Sequence, residues 1–423
     1  MSQLNFVFLS LQRILTDRDS TATNIAKELA KQHRVLYINA PIDRRTFYFR
    51  RSDKYIKEHI RLIRQRSSPN LVRVADNIWV LNPITLIESI NWIPHTGVFS
   101  YFNLQNNKRL AVEYSNVLRE LGFEQFILIN DKDIYRSFHM KELLKPLLNV
   151  YLDRDYIIAM PYWKKHGSRL EPRLMEKSDL VLCNSPGFTE RAKRYNPNSY
   201  YIGNGCDITL FDSEKPYPCP PDLKSLKDRP IIGYVGALLA LRLDVELLIR
   251  VARARPEWNF VFIGKEDAVF ARSELHQLPN VYFLGTKNTT DVPAYLQGFD
   301  VCINPQLVNS ITMDNYPLKI DEYLAMGKPV VAVRTQLMEQ VFVPYVRLAN
   351  NSSDFIRQIE ESLHDRQPAR TNGRIALARS HSWEKVTAKI LDIIKTHLGV
   401  SGRETENSVE AWPGDNPAEE TTK

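Results

Sequence analysis

Long apolar runs are missing from this sequence: no stretch approaches the roughly 20 residues that a membrane-crossing helix needs. The opening residues, MSQLNFVFLSLQRILTDRD, carry no basic leader and no small-residue cleavage site, and read as a first buried strand instead of a signal peptide. Cysteine is scarce. Cys183, Cys206, Cys219 and Cys302 are scattered, form no C-x-x-C and have no histidine pair nearby. That argues against a structural metal and fits a reducing cytoplasm. The first strand–helix loop lacks G-x-G-x-x-G, and with it the usual mark of a nicotinamide enzyme. Helix-turn-helix, RNP and zinc-finger patterns are absent too. Nucleic acid is therefore the weakest of the anionic partners that a net charge of +7 and a pI of about 9.0 suggest. The stronger ones are a nucleotide sugar and an anionic lipid surface.

What is present is a regular alternation. The 423 residues, 43% hydrophobic and 25% charged, have the composition of a soluble globular protein of two or three domains. Residues 5–10 read as a strand, a helix capped by Thr23 or Asn24 follows, and 34–39 is a second buried strand, together one βαβ unit. Further strands are expected at 77–81, 126–130, up to Asp153, 179–183 and 200–202, with helices at 106–121, 169–177 and 188–195. Residues 213–227, SEKPYPCPPDLKSLK, are rich in proline and lysine and read as an interdomain linker. The rhythm then restarts with strands at 231–235, 259–263, 280–284 and 300–304, and terminal helices at 355–363 and 383–398. Residues 399–423 are polar and are expected to be disordered.

The densest chemistry lies in 312–333, TMDNYPLKIDEYLAMGKPVVAV. Pro317 suits the first turn of a helix, Gly327 its end, and 330–333 is a short β-branched strand of the kind buried in a parallel sheet. The helix start offers free N–H groups and the positive end of the macrodipole, a place for phosphate. Lys319 adds a full charge there, and Glu322 follows on the same face. Asp314 lies eight positions before Glu322 in the preceding loop. A cation, free N–H groups and two separated carboxylates suit a sugar joined to a diphosphate. A solvated ion-paired face is the competing reading. Asp131 and Asp153 stand at strand C-ends, where ligands of open α/β sheets bind, and are candidate catalytic groups facing a cleft. Ordinary turn acids are the commoner alternative.

Residues 312–333, with Asp314 and Glu322 at its two acidic positions, resemble the Glu-x7-Glu region of retaining, nucleotide-sugar-dependent glycosyltransferases (glycosyl transferases group 1, family four-like). DLVLCNSPGFTERAKRY at 179–195 and YYIGNGCD at 200–207 resemble the end of the same family's first domain. The resemblance implies the GT-B fold: two Rossmann-like, doubly wound parallel-sheet domains facing across a cleft, with a C-terminal helix crossing back to the first. The expected division is 1–207 on the acceptor side, a linker at 208–228, 229–380 on the donor side, the crossover helix at 381–398, and the tail. By the same resemblance Glu322 holds the donor ribose and Asp314, one methylene shorter than the family's glutamate, contacts the donor sugar. Gly236, Arg242, Thr286, Lys287, Leu318 and Lys319 complete the donor site. Arg242 takes the place of the family's lysine, and Ala237 stands where an arginine is usual. Ser20 and Thr21 face the acceptor in place of the usual glycines. No metal and no cofactor are expected.

The implied reaction is transfer of a sugar from a nucleoside diphosphate to a carbohydrate or lipid-linked acceptor, with retention, in polysaccharide or glycolipid biosynthesis. The alternatives are a sugar-nucleotide epimerase on the same architecture and a non-catalytic sugar-nucleotide or glycan binder. The expected location is the cytoplasm, with the inner face of the plasma membrane in view because residues 44–66, RRTFYFRRSDKYIKEHIRLIRQR, interleave aromatic and basic residues. For that stretch a solvated helix packed on one side is the favoured alternative, since Ile56, Ile60 and Ile63 repeat at helical spacing.

Overall fold

Two sheets organise the chain in the computed structural model, which describes residues 3–16, 19–49, 53–65, 70–309, 311–312, 314–365 and 367–399. The first contains β1 (Asn5–Ser10), β2 (Arg34–Ile38), β3 (Leu71–Ala75), β4 (Ile78–Leu81), β5 (Ile127–Asp131), β6 (Leu148–Asp153), β7 (Leu180–Cys183) and β8 (Ser199–Tyr201). Their order is β3-β4-β2-β1-β5-β6-β7-β8, parallel except for the edge pair β3–β4. The second contains β9 (Ile231–Val235), β10 (Asn259–Ile263), β11 (Val281–Phe283), β12 (Val301–Asn304), β13 (Val330–Val333) and β14 (Val346–Ala349). It is parallel throughout, in the order β11-β10-β9-β12-β13-β14. Counted along the chain this is the 3-2-1-4-5-6 order of a nucleotide-binding doubly wound sheet.

The strands are apolar because both faces of each sheet are covered. In β1, Phe6 and Phe8 point to one core with Ile25 and Leu29 of the helix Thr21–Ala30. Val7 and Leu9 point to the opposite core with Leu110 and Tyr114 of the helix Thr96–Glu120. That helix starts well before the expected 106. The helix after β1 is capped by Ser20, not Thr23 or Asn24: its hydroxyl accepts from the Thr23 N–H, and the Thr23 hydroxyl accepts from the Ser20 N–H in return. Residues 208–228 are no bare linker, since they carry the short helix Pro221–Lys224 and bury Phe211, Leu223 and Leu226 in the second lobe's core.

The last helix, Trp383–His397, does cross back: Trp383, Val386, Ile390 and Ile394 lie in the first-lobe core beside Phe6 and Phe8. Its entry is pinned. The Cys206 N–H donates to the His381 carbonyl at 2.8 Å, and Trp383 lies on Gly205, where a Cβ would come within 2.1 Å of the indole. Among the described residues no helix is long and apolar enough to cross a membrane. Residues 400–423, expected to be disordered, lie outside the described residues, as do Met313 and Arg66.

Candidate active site at the carboxyl ends of the strands

The helix Leu318–Ala325 sets the geometry. Pro317 stands just before it, at the N-cap with φ −87°, and not in its first turn. Gly327, at φ +69°, turns the chain out at the other end. Tyr323 fastens the helix to the end of β9: its hydroxyl accepts from the Val235 N–H at 2.8 Å and lies 3.3 Å from the Val235 carbonyl. The helix N-terminus is thereby aimed across the carboxyl ends of β9 and β12, neighbours where the strand order reverses. That crevice is where open α/β sheets bind ligands.

Two glycine turns make room there. Gly236 has φ +144° and Gly264 has φ +151°. A Cβ on Gly264 would stand 1.9 Å from the Gly236 carbonyl oxygen, so the turns after β9 and β10 stack backbone on backbone. Lys319 passes over them, with its ammonium 4.8 Å from the centre of the Tyr234 ring. The loop bearing Arg242 is tied to the loop after β12. The Leu307 N–H donates to the Arg242 carbonyl and the Asp244 N–H to that of Pro305, both at 2.8 Å. Gln306 Nε2 in turn donates to the Thr312 carbonyl at 2.7 Å.

The electrostatics are open-ended. Among the described residues neither Lys319 nor Arg242 has an ion-pair partner, and Arg242 is exposed. The N–H groups of Leu318 and Lys319 have no intrahelical acceptor, as at any helix start. The partly buried Glu322 carboxylate, one turn on, has no hydrogen-bond partner among the described residues. Burial pushes its pKa up to about 7, with Lys319 opposing and Asp321 and Asp207 adding to the rise. Such a set, unpaired cations beside a carboxylate poised near neutrality, suits an anionic ligand that also carries hydroxyls.

The cleft around it measures about 810 Å³ and takes walls from both lobes. Gly236, Arg242, Thr286, Lys287, Leu318, Lys319 and Glu322 line it from the second, Ser20 and Thr21 from the first. Thr21 is held there by its hydroxyl donating to Asn204 Oδ1 at 3.1 Å. Lys287 brings less charge than its position promises, because Asp222 already pairs with it at 2.7 Å while accepting from the Tyr295 hydroxyl at 2.9 Å.

Three sequence candidates lie elsewhere. Asp314 lies against Gly187 of the helix Pro186–Lys193: a Cβ on that glycine would be 2.2 Å from Asp314 Oδ1. Burial raises its pKa, opposed by Arg191. Asp131 and Asp153 are fully buried and absent from the cleft wall. Asp131 accepts from Ser10 Oγ at 2.6 Å and Arg154 Nη2 at 3.1 Å. Asp153 sits between Lys132 and Arg191, 2.6 Å from Arg191 Nη2, in a buried cluster that includes Glu171. Burial opposes its charge, but the two cations outweigh this and its pKa lies below the ordinary carboxylate range. The groups that do reach the cleft from these strand ends are Arg154 and Asp155. Tyr234, Asn304, Gln306 and Trp383 also line it as single polar or aromatic residues without a motif around them, and Tyr316 lines it from within 312–333, where the charged residues alone signalled a site.

Two doubly wound sheets facing across a cleft, with a last helix returning to the first lobe, define the GT-B fold, here with Lys319, Arg242 and Glu322 lining the cleft from the second lobe. Residues 229–365 match the profile of the family described as glycosyl transferases group 1. A Bacillus subtilis protein, TuaH, named for a glycosyltransferase role in teichuronic acid biosynthesis, is 26% identical over 52% of this chain and 58% of its own length. The match thus spans little more than half of that relative. Among solved structures, sucrose-phosphate synthase of Thermosynechococcus elongatus superposes with a TM-score of 0.65 at 16% identity, covering 95% of this chain and all of that one. Anabaena HepE in complex with UDP gives 0.63 at 16% identity, over 93% of this chain and all of that one. The protein is therefore a GT-B-fold protein related, through its second lobe, to the group 1 glycosyl transferases.

Proposed function

We propose that the protein is a retaining glycosyltransferase that moves a sugar from a nucleoside diphosphate to a hydroxyl of a carbohydrate or lipid-linked acceptor, at the cytoplasmic side of a membrane. The observation that carries this reading is the pairing of Lys319, laid over the Gly236 turn and without an ion-pair partner among the described residues, with the carboxylate of Glu322 one helical turn away, which has no hydrogen-bond partner among them. In this reading Lys319, Arg242 and the first-turn N–H groups hold the diphosphate and neutralise it as it leaves. Glu322 accepts from the ribose hydroxyls, and Ser20, Thr21 and the Arg154–Asp155 pair line the acceptor side. Asp314 contacts the donor sugar only if its carboxylate swings away from Gly187.

The test has two stages. Nucleoside diphosphates and their sugars are first screened for thermal stabilisation; a ligand at 100 times its Kd adds about 2.7 kcal/mol. The stabilising donor is then incubated with and without glycan acceptors, and the product anomer is read by NMR. Transfer with the donor's anomeric configuration kept is expected. Conversion of the donor sugar without any acceptor would identify an epimerase, and binding without turnover a non-catalytic binder.

A further inference from the structure

Asn184 follows β7 directly and lines the cleft. It is 3% exposed, and its side-chain amide makes no hydrogen bond among the described residues. An asparagine at a strand end usually serves its own backbone, by capping a helix or closing a turn. Here other groups do both. Ser185 caps the helix Pro186–Lys193, its hydroxyl accepting from the Phe188 N–H at 3.2 Å. The backbone of Asn184 is fixed by its N–H, which donates to the Asp153 carbonyl at 3.2 Å. Two other asparagines of the cleft wall show the contrast. Asn204 Oδ1 accepts from the Thr21 hydroxyl at 3.1 Å and the Gly205 N–H at 3.2 Å, and Asn304 Nδ2 donates to Gln306 Oε1 at 3.4 Å. A buried amide left unpaired destabilises the fold that carries it. A ligand hydroxyl, donor and acceptor at once, would satisfy either end of it.

The charges on the same wall are already paired. Arg154 is the cation among the described residues that line the cleft from the first lobe. Its guanidinium is divided between Asp131, 2.5 Å from Nε and 3.1 Å from Nη2, and Asp155, 2.5 Å from Nη1. Asp19, also on the wall, pairs with Lys27 at 2.7 Å. Asp17 and Arg18 lie outside the described residues and carry opposite formal charges. The second-lobe wall is the reverse, since Lys319 and Arg242 have no ion-pair partner among the described residues. A carboxylate or phosphate entering from the first-lobe side would find no unpaired cation there and would lie near Asp19, Asp155 and the donor's own diphosphate. An uncharged sugar would meet amides and hydroxyls instead: Asn184, Gln12, Asn24 and Ser20.

We propose, on the basis of the glycosyltransferase reading, that this wall is an acceptor subsite for an uncharged, hydroxyl-bearing sugar. The Asn184 amide bonds one of its hydroxyls, and sugars carrying a carboxylate or phosphate are refused. The test reads binding instead of turnover, so the donor site and the acceptor subsite are judged separately. Calorimetry first finds the nucleoside diphosphate that binds. At saturation with it, the methyl glycosides of glucose, galactose and mannose and the matching methyl uronides are titrated by saturation-transfer NMR. At least one neutral glycoside should bind about tenfold more tightly than its uronide. Asn184→Ala removes an amide that bonds no described residue; it should weaken the neutral sugar about tenfold and leave the diphosphate's affinity unchanged. Asp155→Asn, at a half-buried site, returns part of Arg154's charge to the cleft and should narrow the preference by admitting the uronide. Equal or tighter binding of uronides, neutral binding that Asn184→Ala does not alter, or no glycoside binding to the diphosphate-loaded protein would each overturn the acceptor subsite and leave the donor site standing. Competition between the neutral glycoside and the sugar of the intact donor would place the glycoside in the donor's own position and also overturn it. Absence of any diphosphate binding would overturn both.

Discussion

Lys319 crosses directly over Gly236: the Cβ that this glycine lacks would stand 3.0 Å from the lysine's Cε and 3.3 Å from its Nζ. With φ at +144° the position also refuses an L side chain on backbone grounds. Gly236→Ala should therefore displace Lys319 and strain the turn together. Affinity for the best nucleoside diphosphate of a panel should fall at least tenfold, about 1.4 kcal/mol, by calorimetry. Unchanged affinity would mean that the diphosphate does not sit over this turn.

Lys319→Met keeps the stem that packs on Tyr234 and removes only the charge. A charge-assisted hydrogen bond contributes about 1.5–3 kcal/mol, so diphosphate affinity should drop about 10- to 100-fold. Binding of the corresponding nucleoside, which has no phosphate, should not change. A loss shared equally by both ligands would point to a folding defect.

Glu322 links function to stability through pH. Its pKa is about 7 in the folded protein against an ordinary 4.5. Between those values the folded state holds more protons than the unfolded state, so stability falls as pH rises through this window and the full cost is present above pH 7. Glu322→Gln should thus match the parent in urea unfolding at pH 4 and exceed it at pH 8. The gain should be on the order of 1–3 kcal/mol, reduced because the carboxylate edge is open to the cleft. The same variant should bind nucleotide more weakly, a trade of function for stability. If its stability advantage were the same at both pH values, the carboxylate would not be the cause.

Asp153 is held by Lys132 and Arg191 inside the first lobe. Asp153→Ala would leave the buried Lys132 and the half-buried Arg191 sharing Glu171 alone. Removing one partner of a buried pair costs about 3–5 kcal/mol, and the urea midpoint should fall accordingly. Loss of turnover with an unchanged midpoint would instead make Asp153 a catalytic group.

Much of the scaffold is legible before any coordinates. Strands such as β1, β9 and β13 sit where the β-branched and aromatic runs put them, because burial on both faces leaves no other composition for a central strand. The edges are harder. β3, LVRVA, has mixed burial and pairs antiparallel at the margin of its sheet, so its sequence need not alternate or stay apolar. β14 and the helices Gln336–Phe342 and Pro368–Ser380 likewise lack a strong pattern. The cap at Ser20 is written in the sequence as a Ser with a Thr three residues on, but it competes with Thr23 and Asn24 for the same role. For 44–66 the isoleucines share one side of the helix Lys54–Gln65, but only Ile60 is buried, with Ile56 and Ile63 half-buried.

By itself the sequence determined the alternation of strands and helices, and which charged residues fall at strand C-ends and helix N-ends. Local rules set both, through burial periodicity, proline and glycine. Only the tertiary structure decided which of those charges remain free. Lys319 and Arg242 face the cleft without an ion-pair partner among the described residues, whereas Lys287 is taken by Asp222 and Asp153 by Lys132 and Arg191. Whether an ion is spent on the fold or left for a ligand depends on residues distant in the chain arriving within a few ångströms of it. Over that short range Coulomb attraction and desolvation grow large enough to decide the matter.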